Sequence, residues 1–451
     1  MATISSPGIG SGLDVSSIVS QLVALERRPI ELLQQASTKL TTRLSSFGLI
    51  QSYMGNLQSV AAQLAKPDEF WGRVTAGSSD ASAVGVSAPA STTPASYSIE
   101  VTTLATAQSL STAAGAITDS SNVGAGTLTI TRGGTPVAIN VADGTSLSAL
   151  RDQINAAKAG VNASIVQDTG GPRLVLTGSD TGQANSVTVG VSGATGQLTA
   201  LAWPGAMNED RPAANAVLKI NGLQISAASN ELKDVVDGLS LSLKKTTTSP
   251  VQVTIGNDTA ALRKGVNDFV SAYNELSRYL TTQTRYDESS RQAGALQGDR
   301  AAVSLQNSLR NLVQQPSTAS ATYARLSDLG LEVQRDGTLK VNDSKLDAAL
   351  ANPAEVAKAF STLGTGFAQR FKALADGVVA TDGPLTSRTA GLRESLRRNE
   401  KDRQRLEDRV ARVQERITRQ YSALDTNLNR LNGLSSYVQQ QITAWNRSDD
   451  S

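Results

Sequence analysis

Near the start of the chain, apolar residues recur at Ile18, Leu22, Leu25, Leu32, Ala36, Leu40, Leu44, Phe47, Ile50, Met54, Leu57, Ala61 and Leu64. Steps of three and four place these side chains on one helical stripe, and their persistence over several heptads predicts a coiled-coil seam. Pro29 lacks the amide proton that an interior helical turn needs and crowds the turn before it. The spacing therefore predicts a short first helix, a break or kink at Pro29, and a long second helix stopping near Lys66-Pro67.

From Ala76 to Pro94 the composition shifts to Gly, Ser, Ala and Pro, a boundary signal, and a period of two replaces that of the helix. Tyr97, Ile99 and Val101 alternate as a strand. Leu128 and Ile130 are expected to pair with Val137, Ile139 and Val141 across Gly133-Gly134, and Leu218-Ile220 with Leu223-Ile225 across an Asn221-Gly222 type I′ turn. Between these hairpins, Thr145 is expected to cap a helix carrying Leu147, Leu150 and Ile154 and ending at Gly160. Ile165 and Leu174-Val175-Leu176 then resume the strand pattern.

After Ile255 the helical period returns, with Leu262, Val266, Phe269, Val270, Tyr273, Leu276 and Leu280 on one stripe. The last segment is the most regular: Val410, Ile417, Leu424, Leu431, Val438 and Trp445 recur at every seventh position, with Leu406, Val413, Tyr421, Leu428, Leu434 and Ile442 beside them. A narrow stripe of this kind cannot bury itself, so it predicts a long helix with a partner. Helix, then strand, then helix implies an α+β multidomain chain: the terminal coiled-coil helices form a leg or stalk, and β-rich head domains are inserted between them. The expected parts are a terminal coiled coil (1–40 with 420–451), a helical leg (41–75 with 256–419), a β-rich head (76–109 with 213–255) and a second, inserted α+β head (110–212).

Composition narrows the chemistry. The 451 residues hold 42 Lys plus Arg against 40 Asp plus Glu, a formal net charge of +2, so no global field draws the chain to nucleic acid or anionic lipid. There is no histidine and no cysteine, which excludes thiol nucleophiles, disulfides, Cys/His zinc sites and imidazole-based triads. The opening MATISSPGIGSGLDVSS has no basic region followed by an apolar run, so no cleaved secretory signal is expected, and no segment has the length of a membrane span.

Several motifs resemble one known family. Gly8-Ile9-Gly10-Ser11-Gly12-Leu13-Asp14, followed by Ile18-Val19-Ser20-Gln21-Leu22-Val23 and Glu26-Arg27-Arg28-Pro29-Ile30, is similar to the N-terminal signature of the flagellar filament cap family, the hook-associated proteins 2. Ile220-Asn221-Gly222, Asp237-Gly238-Leu239 with Leu241 and Leu243, Asp268-Phe269-Val270 and Tyr273-Asn274-Glu275-Leu276 resemble its interior blocks. So do Leu296-Gln297-Gly298-Asp299, Leu329-Gly330-Leu331 and Asp336-Gly337-Thr338-Leu339. Ser146-Leu147 and Ile154-Asn155 resemble a repeat shared with flagellins. The resemblance implies a non-enzymatic protein without cofactors, secreted through the flagellar export apparatus to the flagellum tip. There it would form a homo-oligomeric ring, taken as a pentamer, beneath which exported flagellin folds and inserts. It further implies contact with the hook-filament junction protein, an export chaperone on the C-terminal helix, and host mucin as a further partner, with no nucleic acid and no membrane insertion. Ile18, Leu22, Leu25, Leu32, Val410, Ile417, Leu424, Leu431 and Val438 are the expected subunit and flagellin contacts.

Other readings of single motifs are weaker. Gly8, Gly10 and Gly12 lack the preceding strand that a nucleotide-binding loop needs. Ser242-Leu243-Lys244-Lys245 matches a Ser-x-x-Lys nucleophile pattern, but it lies in an alternating strand, not at a helix start. Glu231, Asp234 and Asp237 do not have the spacing of a calcium loop, and no carboxylate pair is marked out for glycoside hydrolysis. Arg388–Arg419 holds eleven basic and six acidic residues, and the i,i+4 pairs Glu394–Arg398, Asp408–Arg412 and Glu415–Arg419 favour a solvated helix face over a nucleic-acid stripe. Other axial proteins (flagellin, a junction subunit) or a tip adhesin are the competing functions, and the Glu26-Arg27-Arg28-Pro29 block favours the cap.

Overall fold

The computed structural model describes residues 14–448 apart from 237, 289 and 290. It opens with helix α1 (Val15–Leu64) and passes into strands β1 (Val74–Ser78), β2 (Val84–Ser87), β3 (Ala95–Thr103), β4 (Ser109–Thr112), β5 (Gly126–Arg132) and β6 (Thr135–Val141). Helix α2 (Leu147–Ala157) precedes β7 (Val161–Asp168), β8 (Gly171–Gly178), β9 (Val187–Ser192), β10 (Met207–Arg211), β11 (Ala216–Ile220), β12 (Leu223–Ala227), β13 (Glu231–Val236), β14 (Leu239–Leu243) and β15 (Val251–Asn257). The helical half returns with α3 (Thr259–Thr284), hairpin β16 (Tyr286–Asp287) and β17 (Gln292–Ala293), α4 (Arg300–Gln314), and hairpin β18 (Leu331–Val333) and β19 (Leu339–Val341). It closes with α5 (Asp343–Leu350), α6 (Pro353–Ser361), α7 (Phe367–Val379) and α8 (Pro384–Ser448). The chain forms two compact units, one of residues 1–65, 265–349 and 355–451, the other of 66–264 and 350–354.

In the helical unit, α1 turns Phe47, Ile50, Met54, Leu57, Ala61 and Leu64 inward, each fully buried. Their 3-4-3-4-3 spacing is the amphipathic stripe seen in the sequence. Phe269 and Tyr273 of α3 meet Phe371 of α7 edge to face, at ring-centre distances of 5.1 and 5.9 Å, and Phe269 also meets Phe360 of α6 at 6.2 Å. Asn274 pins the β18–β19 hairpin to α3: its Oδ1 accepts from Leu339 N at 2.7 Å and its Nδ2 donates to Leu339 O at 2.8 Å. Tyr273 Oη donates to Gly337 O at 3.0 Å, and burial raises the pKa of this phenol. The sequence blocks at 268–276 and 336–339 are thus two halves of one packed constellation. Gly330, at φ 84°, sits where an added Cβ would fall 2.7 Å from Asn342 O, so the loop into β18 requires glycine. Asp299 caps α4 and receives Arg388 of α8 at 2.7 Å, which ties the two helix starts together.

The β unit has two cores. Sheet β1-β15-β3-β11-β12 and sheet β13-β14-β2 enclose Ile99, Val101, Leu218, Leu241 and Val253. Sheets β10-β4-β8-β7 and β6-β5-β9, with α2, enclose Leu110, Leu128, Ile130, Leu150, Ile154 and Leu176. Both predicted hairpins form in the expected register, Leu128 opposite Ile139 and Leu218 opposite Ile225. Asn221 and Gly222 take φ of 48° and 83°, the left-handed pair that a type I′ turn demands. Asn155 on α2 holds both backbone groups of Ala163, accepting at 2.7 Å and donating at 3.0 Å, so α2 cannot drift from β7.

Two expectations are corrected. The helix around Pro29 does not break: α1 runs unbroken from Val15 to Leu64. Pro29 is exposed, so water can serve the carbonyl it leaves unpaired, while Val23 and Ile30 on either side are held by packing. Helix α2 is capped by Ser146 rather than Thr145: the Ser146 hydroxyl accepts from Ala149 N at 3.2 Å, while the Thr145 hydroxyl donates back to Ala142 O, and the helix closes at Lys158 (φ 49°) rather than Gly160.

Candidate functional site

The predicted contact residues lie on α1 and α8. Asp14 starts α1 by accepting from Ser17 N at 2.9 Å, and the Ser16 hydroxyl and this amide hold its carboxyl below the usual carboxylate range. Val19 and Val23 of α1 and Val410 of α8 form a small buried cluster, against which Ile30, Ile417 and Tyr421 pack. Glu26 meets Arg409 at 3.8 Å, and further along a groove of about 460 Å³ opens between Ser16, Ser20 and Arg27 of α1 and Gln414 and Thr418 of α8. Higher numbers on α8 therefore face lower numbers on α1, an antiparallel pair.

The seam expected on α1 is not the one that is buried. Ile18 is half-buried, but Leu22, Leu25 and Leu32 are 36, 54 and 65% exposed. At 100° per residue they lie roughly 120° round the helix from Val19, Val23, Glu26 and Ile30. The segment carries two apolar stripes and can turn only one to α8. Glu26, lying between Val23 and Ile30 and paired with Arg409, marks the stripe that wins. Val19 and Val23 were missed because valines next to leucines do not stand out in the stepwise count.

On α8, Val410 is buried and Ile417 half-buried, whereas Leu424, Leu431 and Val438 are 45, 58 and 47% exposed. Every residue from Asn429 to Ala444 is exposed, Leu434, Tyr437 and Ile442 among them. The helix runs 27 residues beyond Tyr421 to Ser448, roughly 40 Å at 1.5 Å per residue. Between Asp425 and Ala444 its only charge is Arg430. The Trp445 side chain lies outside the described residues, as do Gly8, Gly10 and Gly12.

The competing motifs do not assemble sites. Ser242 Oγ donates to Glu231 Oε1 at 2.5 Å and Lys244 Nζ to Ala81 O at 3.1 Å, so the Ser-x-x-Lys pair is separately engaged. Asp234 sits at φ 57° beside an irregularity in β13, and Asp237 is outside the described residues. Among the described residues no cluster of His, Cys, Asp or Glu is placed to hold a metal ion, and no helix is long and apolar enough to cross a membrane. The basic stretch of α8 is largely spent on its own helix: Glu394–Arg398 at 4.0 Å, Glu415–Arg419 at 3.7 Å, and Arg403 between Glu400 and Glu407. Arg403 lowers the Glu400 pKa and is itself raised by that carboxylate. Arg412, expected to pair with Asp408, has no carboxylate among the described residues.

Comparison with known proteins adds independent findings. The family model "Flagellar hook-associated protein 2 C-terminus" matches residues 213–433, its N-terminal counterpart matches 11–108, and "Flagellin hook IN motif" matches 127–180. The A-type flagellar hook-associated protein 2 of Pseudomonas aeruginosa is 32% identical over 97% of this chain and 97% of its own. The flagellar hook-associated protein 2 of Escherichia coli (strain K12) is 32% identical over 98% of each. The crystal structure of the D1-D2-D3 domains of the flagellar cap protein FliD from Escherichia coli covers 77% of this chain and 99% of its own, with a TM-score of 0.63 at 29% identity.

Proposed function

The chain belongs to the flagellar hook-associated protein 2 family, and from that premise we propose that it caps the flagellar filament through the two uncovered apolar stripes of α1 and α8. It is a structural capping protein, exported through the flagellar system and resident at the filament tip. One observation carries the contact assignment: past Tyr421, α8 keeps its heptad stripe, and Leu424, Leu431, Leu434, Val438 and Ile442 on it are 45 to 60% exposed among the described residues. Leu424, Leu431, Leu434, Val438 and Ile442 each leave about half of an apolar side chain to be buried by a partner, roughly 1 kcal/mol apiece. Five together supply roughly 5 kcal/mol, enough to drive helix association once subunits are held side by side.

Neighbouring copies and flagellin are the partners that cover these stripes. Ile18, Leu22, Leu25 and Leu32 serve one, and Leu424, Leu431 and Val438 the other, while Val19, Val23, Val410 and Ile417 hold the two helices together. A ring satisfies every interface and stops, whereas an open head-to-tail contact grows without limit; five copies is the number the resemblance supplies. The bare α8 stripe is also where an export chaperone would sit before secretion, and the hook-filament junction protein is the surface the ring would first rest on. In this scheme 1–40 and 420–451 carry the partner contacts without pairing with each other beyond Tyr421, since α1 packs on α8 around Arg409–Tyr421, while 41–75 with 256–419 is the leg, and 76–109 with 213–255 and 110–212 are the two heads. No described feature selects mucin, so adhesion is not part of the proposal.

Electron microscopy of filaments labelled for this protein tests the reading. Label at the distal ends, with flagellin lost to the medium when the gene is deleted, is expected. Label along the filament or at the hook junction, or a protein that is strictly monomeric or forms endless fibres by light scattering, would overturn it.

A further inference from the structure

Along α8, Leu385, Leu392, Asn399, Leu406 and Val413 follow one another at steps of seven. Asn399 breaks an otherwise apolar row, yet it is only 8% exposed, and its Oδ1 has no hydrogen-bond partner among the described residues. Val410, eleven residues on, lies within about 20° of it around the helix, and Val410 packs on α1. Asn399 is therefore on the α1-facing side. Counting ten residues along each antiparallel helix from Glu26–Arg409 brings Asn399 level with Ala36 and Ser37, of which Ser37, at 100° per residue, falls in line with Val19, Val23 and Ile30 and Ala36 does not. In the half-buried row Ile30, Leu33, Ser37, Leu40, Leu44, whose steps of three and four continue those of Val19 and Val23, Ser37 is the small polar member.

We propose that Asn399 determines the pairing of the terminal helices, holding α8 in one antiparallel register against α1. With leucine at 399, the row on α8 would be apolar from Leu385 to Val413, leaving the anchored first turns, with Leu385 and Leu392 buried and Arg388 on Asp299, to oppose a slide by seven. With asparagine, a slide carries the amide from the level of Ser37 to that of Ile30 or Leu44, where it meets bulkier apolar side chains. A single buried asparagine in a heptad seam is a known means of specifying register at the expense of stability. The register matters because a slip of seven residues moves the Leu424–Ile442 stripe by about 10 Å relative to Leu22, Leu25 and Leu32. This inference concerns pairing within one chain and stands whether or not the chain caps a filament.

The absence of cysteine makes the test clean, since an introduced pair is the only thiol pair present. In the full-length protein, Glu26→Cys with Arg409→Cys reports the observed register, and Glu26→Cys with Arg416→Cys or Asp402→Cys reports a slip of seven in either direction. With Asn399 present, the first pair should oxidise in a glutathione buffer at least about tenfold more fully than either slipped pair. Asn399→Leu should raise the slipped disulfides by about threefold or more while raising the thermal midpoint, and Asn399→Ala, which removes the amide without adding bulk, should raise them as well. A role in stability alone would move the midpoint but not the ratio of disulfides. Slipped-pair yields unchanged in both variants, or failure of both variants to form the first pair, would overturn the proposal.

Discussion

Val410 and Leu431 occupy the same heptad position three repeats apart, yet the structure gives them opposite fates, and aspartate at each should separate pairing from assembly. Val410 is 3% exposed. Val410→Asp forfeits roughly 2 kcal/mol of apolar transfer and places a carboxylate in an apolar row at a further cost of about 2 kcal/mol or more. Among the described residues the cluster it belongs to has Val19 and Val23 as its other buried members, so some 4 kcal/mol exceeds what it can absorb, and the helices should part there. Leu431 is 58% exposed. Leu431→Asp should change the isolated chain by less than about 0.5 kcal/mol. Hydrogen exchange of residues 15–30 is the discriminating assay: protection falls for Val410→Asp and is retained for Leu431→Asp. Filament formation in cells, with secretion of each variant verified, should be lost for both. If Leu431→Asp strips the protection as Val410→Asp does, or supports normal filaments, the assignment of one residue to pairing and the other to partners is wrong.

Phe269→Ala should cost about 3–5 kcal/mol in thermal or denaturant unfolding, because the ring is fully buried against Phe360 and Phe371. Pro29→Ala should stabilise α1 by about 1–3 kcal/mol, read as increased exchange protection of residues 15–33, since the helix already runs through this exposed site and regains an amide donor. Glu355 is held below its ordinary pKa of 4.5 by Lys358 Nζ at 2.7 Å and then by the Ser320 hydroxyl at 2.9 Å. A depressed carboxylate contributes stability above its unfolded pKa and loses it as pH falls through the folded one. The stability difference between wild type and Glu355→Gln should accordingly be present at pH 7 and close below about pH 4.5.

The elements were legible because periodicity is a local property. The 3-4 steps of Phe47 to Leu64, the stripe from Leu262 to Leu280 and the Asn221-Gly222 turn each constrain a neighbourhood that the chain carries with it, and all three appear as read. The competing chemistry was excluded as locally: without histidine or cysteine, no fold can supply an imidazole or a thiolate. Which apolar stripe of α1 meets α8 was a different kind of question. Val19, Val23 and Ile30 on one side and Leu22, Leu25 and Leu32 on the other satisfy helical spacing equally well. Only the approach of Val410 and the Glu26–Arg409 pair, about 380 residues apart in the chain, decides between them. The same holds for the heptads of α8, whose regularity announces a partner but cannot say that α1 covers Val410 and leaves Leu424, Leu431 and Val438 exposed. Pro29 makes the point from the opposite side: its local cost predicted a break, and packing on both sides of an exposed turn outweighed it. Sequence determined what each segment is able to bury, and tertiary structure decided what it buries against, because the second depends on contacts between positions that no local pattern relates.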